Sequence, residues 1–129
     1  MDVNRFENIK NAFPGAQRER YGIGTLKEKT LHAILKDYYA PNKEMQEVKV
    51  DGFVADICTG KEIIEIQTAG LDKMRSKLEH FLPDYPVTIV YPIPKIKYLI
   101  WINEETGECS RPRKSTLKGS VYMAFYELY

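Results

Sequence analysis

Val48-Lys-Val-Asp-Gly-Phe-Val-Ala-Asp-Ile-Cys-Thr-Gly-Lys-Glu-Ile-Ile-Glu-Ile-Gln-Thr68 reads as three short β-strands joined by two turns. Asp51-Gly52 supplies the positive φ angles of a two-residue hairpin loop, and Thr59-Gly60 is a second turn signal between β-rich runs. Antiparallel pairing keeps the sum of paired residue numbers constant. A two-residue loop at Asp51-Gly52 therefore pairs Lys49 with Val54. One at Thr59-Gly60 sets Cys58 opposite Lys61, Asp56 opposite Ile63 and Val54 opposite Glu65. Side chains alternate across a strand, so Asp56 then shares a face with Ile63, Glu65 and Gln67. Glu65 lies on the diagonal from Asp56, about 7–8 Å away.

Two carboxylates so placed can bridge a divalent ion. Carboxylates on alternate strand positions are also the ordinary solvated face of a sheet. Val54, Cys58 and Ile63 share this face with the acids, and a partly buried carboxylate cluster needs a cation.

Outward from the meander, Thr25 to about Tyr39 reads as a helix ended by Pro41. Leu71, Met74, Leu78, Phe81 and Leu82 step by three and four, the stripe of an amphipathic helix stopped at Pro83. Val87 to Tyr91 and Lys97 to Ile102 are two further strands, separated by Pro92 and Pro94. Glu104-Glu105-Thr-Gly107 turns into a short polar strand, and Val121 to Tyr129 reads as an apolar helix. Residues 1–22 are polar and broken by Pro14-Gly15, an arm or a short helix. The order is αβββαβ, then βα, with no repeat and no linker: one α/β domain, its mixed sheet flanked by helices.

Composition narrows the function classes. The 129 residues suit one domain with a real core, and 19 basic against 18 acidic residues leave no global field to attract nucleic acid. Any such surface is local. Two cysteines make no disulfide framework, and no leader or long apolar run is visible, so a soluble protein of a reducing cytoplasm is expected. Gly22-Ile-Gly24 lacks the spacing and lysine of a phosphate loop. Cysteine and histidine are too scattered for structural zinc, and no Gly-x-Ser-x-Gly elbow occurs. A Cys58 nucleophile would need His32 or His80 beside it.

Asp56, eight intervening residues, then Glu65-Ile66-Gln67 on the third strand of an αβββαβ order resembles the PD-(D/E)XK nuclease superfamily, over roughly Thr25 to Tyr91. Glu65 to Thr68, the following helix, Val90 to Ile93, Arg113 to Ser115 and Phe125 to Leu128 are also similar to an uncharacterised bacterial branch of such proteins. The resemblance implies a restriction-endonuclease-like core acting on DNA. Asp56 and Glu65 match the acids that hold one or two Mg²⁺ (or Mn²⁺) ions, and Glu28 matches the supporting carboxylate of the first helix. Gln67 stands where the family usually has lysine. Carboxylate-held Mg²⁺ activates water and neutralises charge building on a phosphodiester. Glutamine can orient water by hydrogen bonds but brings no charge. The alternative is a nuclease-like fold without cleavage, serving as a DNA- or protein-binding module.

Glu28 has a second reading, because Thr25-Leu-Lys-Glu28 is also a capping box. It falls within the apolar arc of Leu31, Leu35 and Tyr39, where an unpaired carboxylate is costly. His32, one turn on, can move protons or hold phosphate, or is incidental. Lys49 and Lys77 are candidates for the missing cation, or ordinary solvated lysines. Arg111-Pro-Arg-Lys-Ser-Thr-Leu-Lys118 holds four cations and no acid, so Arg111, Arg113, Lys114 and Lys118 suit a phosphate backbone.

Overall fold

The computed structural model describes residues 1–13, 24–93, 98–99, 101, 103–116 and 119–128, with 24–28, 98, 123, 127 and 128 described by backbone alone. They belong to two compact units, residues 1–92 and 93–129. The sequence, which shows no linker, predicts a single unit. The division falls in the proline-marked stretch between the fourth and fifth strands.

The first unit carries α1 (Val3–Ala12), α2 (Gly24–Tyr39), β1 (Gln46–Val50), β2 (Phe53–Cys58), β3 (Ile63–Ile66), α3 (Arg75–Phe81) and β4 (Val87–Val90). Of the two expectations for the start of the chain, the helix holds. Asp2 caps α1 by accepting the Arg5 amide at 3.1 Å, and its own amide donates to the Tyr38 hydroxyl at 2.7 Å. Phe6 meets the Tyr38 ring edge-on at 6.2 Å. The Tyr38 ring is thus a packing element joining α1 to α2.

The strands form a mixed sheet ordered β1-β2-β3-β4, with antiparallel, antiparallel and parallel neighbours. The first turn is as expected: φ is +48° at Asp51 and +80° at Gly52, and Lys49 pairs with Val54. The second is wider than the two-residue loop. Cys58 pairs with Ile63 and Ile57 with Ile64, leaving residues 59–62 as the loop. Thr59 causes this, since its amide donates to the Glu62 carbonyl at 3.1 Å and its hydroxyl accepts the Glu62 amide at 3.2 Å. The pairing moves by two residues, so every side chain keeps its face while Glu65 shifts from the diagonal to a position opposite Asp56.

Two apolar clusters line the sheet. Leu35 and Ala40 pack with Ile57, Ile64 and Ile66, and Phe81 packs with Ala55 and Ile63. β3, hydrogen-bonded on both edges, is buried at all four residues. The apolar stripe before Pro83 starts as a 3₁₀ turn, Leu71–Met74, and narrows to Met74 and Phe81 as its buried members, with Leu82 exposed rather than part of the core.

The second unit carries β5 (Tyr98–Leu99), β6 (Arg113–Lys114) and α4 (Tyr122–Leu128), with β5 and β6 antiparallel. No helix among the described residues is long and apolar enough to cross a membrane.

Candidate functional site

The β2–β3 ladder stops short. Its paired residues are Ile57 with Ile64 and Cys58 with Ile63, and Asp56 and Glu65 come next on the diverging side. Strands that separate strand their backbone polar groups, which need other partners when buried. Here the two carboxylates provide them. Asp56 Oδ2 accepts the Ile66 amide at 2.9 Å, and Glu65 Oε1 accepts the Asp56 amide at 3.0 Å. Each acid thus bonds the opposite strand across the fork.

A basic side chain from each helical layer closes the fork. Lys77 of α3 places Nζ 2.9 Å from Glu65 Oε2. His32 of α2 places Nε2 2.6 Å from the Ile66 carbonyl oxygen and 3.6 Å from Asp56 Oδ2. A carbonyl only accepts, so this ring nitrogen carries its hydrogen. Glu65 is 2% exposed, and a carboxylate that deep is costly without a paired charge. Lys77, whose side chain is 30% exposed, is that charge and keeps one side toward water.

Asp56 and Glu65 are therefore brought together. Gln67 follows them in the chain, but its amide nitrogen donates to the Ala69 and Gly70 carbonyls, at 2.5 and 3.3 Å, and so braces the turn after β3. Lys49 is exposed on β1 opposite Val54. Glu28 has its backbone in α2, and its side chain lies outside the described residues. Arg111, Arg113 and Lys114 are exposed in the second unit, while Lys118 lies outside the described residues. Cys58 is a free thiol. The histidines that could have served it are engaged elsewhere, His32 with Ile66 and Asp56, and His80 with the Ser76 carbonyl at 2.8 Å.

The sequence reading weighed Lys77 only as an alternative to Lys49, and it missed the Ile66 carbonyl. Lys77 had a legible signal: Met74, Lys77, Leu78 and Phe81 fall at i, i+3, i+4 and i+7, so the lysine lies within the apolar stripe. The Ile66 carbonyl had none, because a backbone oxygen becomes available to a ligand only where a ladder opens.

Among the described residues, no three His, Cys, Asp or Glu side chains are grouped to hold a metal. The fork instead offers two carboxylates and a peptide carbonyl. An all-oxygen set with one or two carboxylates suits Mg²⁺, which keeps several of its waters. His32 Nε2 and Lys77 Nζ now face those oxygens, as a cation would, so a metal there displaces at least one of them.

Residues 29–129 match the family described as a domain of unknown function, DUF8091. The chain belongs to that family. It is also similar to an uncharacterized protein of Treponema pallidum (strain Nichols), 36% identical over 107 residues, a match covering 82% of this chain and 42% of the relative. The chain thus spans less than half the length of that relative. No solved structure matches it.

Proposed function

We propose that this DUF8091 chain is a Mg²⁺- or Mn²⁺-dependent DNA nuclease of the restriction-endonuclease-like type, acting in the cytoplasm. The observation that carries this reading is the fork itself, where Asp56 and Glu65 stand opposite each other at the point where β2 and β3 part. Asp56, Glu65 and the Ile66 carbonyl would hold the metal, which when bound supplies an activated water and neutralises charge on the phosphate. Lys77 supplies the positive charge that Gln67 lacks. Released from Glu65, its ammonium is placed to stabilise the developing phosphate charge. Gln67 retains a side-chain oxygen able to accept from water. Glu28 supports the site from α2, and Arg111, Arg113, Lys114 and Lys118 hold the DNA backbone.

The same hydrogen bonds favour a second reading, in which the fork is a finished structural element and the fold is a DNA- or protein-binding module. Incubation with single-stranded and duplex DNA and either metal separates the two. The nuclease reading expects cleavage that chelation stops and that Asp56→Asn lowers by roughly 100-fold or more. Asn can still accept the Ile66 amide, so the fork should persist. A wild-type protein that cuts none of these substrates, or an Asn variant that cuts equally well, leaves the module reading.

A further inference from the structure

Leu99, Trp101 and Asn103 are each bonded to residues of the returning segment 108–113, forming a ribbon whose two ends differ in charge. The tip is a turn tied by Asn103, whose amide donates to the Glu108 carbonyl and whose carbonyl accepts the Gly107 amide, both at 2.8 Å. Its side-chain oxygen takes the Glu105 and Thr106 amides at 2.9 and 3.2 Å. Gly107, at φ +71°, makes the reversal. All three acids of the ribbon, Glu104, Glu105 and Glu108, lie at this tip, and Arg111, Arg113 and Lys114 come after it.

Leu99 pairs with Arg113, and Trp101 bonds Ser110 twice, through the Ser110 amide to its carbonyl and its own amide to the Ser110 hydroxyl, both at 2.9 Å. The Leu99–Arg113 and Trp101–Ser110 pairings differ by one in register, so the returning strand carries one extra residue between them; Arg111 follows the residue across from Trp101, and Arg113 stands across from Leu99. The Trp101 side chain is 77% exposed and Leu99 is 50% exposed. Arg111, Arg113 and Lys114 are exposed, and among the described residues none of them is in an ion pair. An indole this exposed has little packing role within the ribbon, and Arg111 and Arg113 are on the strand across from it. An exposed aromatic ring with cations on the neighbouring strand is what unpaired bases and their phosphates recognise.

We propose that the Leu99–Arg113 ribbon binds single-stranded DNA, with a base stacked on Trp101 and phosphates on Arg111 and Arg113. Duplex DNA gains only the phosphate contacts, because its bases are stacked on one another. The choice of DNA rests on the nuclease reading; the stacking geometry does not.

Trp101 is the only tryptophan of the chain, so its emission reports this contact alone. An oligothymidylate of roughly 12 nucleotides, titrated into the full chain with EDTA present, should quench that emission. A duplex of equal length should bind at least about ten-fold more weakly. With a labelled oligonucleotide followed by anisotropy, Trp101→Ala should weaken binding by about 5- to 150-fold, while Trp101→Phe keeps most of it. Arg113→Ala should reduce the log–log salt slope by about 0.7. Circular dichroism confirms that each variant is folded. Absence of quenching, equal or tighter duplex binding, tighter binding of oligouridylate, or an unaffected Trp101→Ala variant overturns the proposal. Chelated metal keeps the two readings apart: quenching without any later cleavage fails the nuclease reading alone, and cleavage without quenching fails this one alone.

Discussion

Among the described residues Glu65 is the buried charge, with Lys77 and the Asp56 amide as its partners. Removing one member of a buried pair costs about 3–5 kcal/mol, whereas removing both together often costs far less. Lys77 is partly open to water, which moves the expected loss for Lys77→Met to the low end of that range or below it. Adding Glu65→Gln to Lys77→Met should recover part of the loss, read by urea denaturation. A double variant less stable than Lys77→Met by the full cost of a second independent substitution would show that the two side chains do not depend on each other.

At the scale of elements, the Asp37 carboxylate ties α2 to the turn that leads into β1. Asp37 accepts from Lys43, in the 3₁₀ turn Lys43–Met45, and from Gln46 Nε2 at 2.8 Å, which also donates to the Ala40 carbonyl at 2.9 Å. Burial pushes the Asp37 carboxyl up, but hydrogen bonds from Lys43 and Gln46 and the charges of Lys43 and Lys36 outweigh it and hold the group below its usual 3.8. A carboxyl depressed on folding stabilises above its unfolded value and loses that contribution as pH falls through the folded one. Asp37→Asn should therefore cost roughly 1 kcal/mol at neutral pH. The difference in melting temperature from wild type should close as the pH falls through and below the usual carboxylate range. A gap that persists unchanged in acid would assign the loss to something other than the carboxylate charge.

For the whole molecule, a cation held by the fork would bind the folded chain and not the unfolded one. Mg²⁺ or Mn²⁺ at about 100 times its dissociation constant should then add about 2.7 kcal/mol of stability. Melting with and without metal checks this, and both Asp56→Asn and Glu65→Gln should lose the shift. Shifts of equal size in all three proteins would place any bound metal elsewhere. What the sequence by itself determined is the nearness of the two acids. Either loop length sets Asp56 and Glu65 on adjacent strands, opposite or diagonal to each other. The elements around them were legible for the same kind of reason, since strand alternation, the helical stripes and the Asp51-Gly52 turn are local patterns. The remainder depended on contacts between segments. Thr59 closes a four-residue loop that sets Glu65 directly opposite Asp56. Lys77 comes from 12 residues beyond Glu65, and His32 reaches Ile66 from 34 residues away. Whether a lysine on a helix stripe is solvated or paired is decided by what the opposite layer buries, and only the packed sheet exposes that choice.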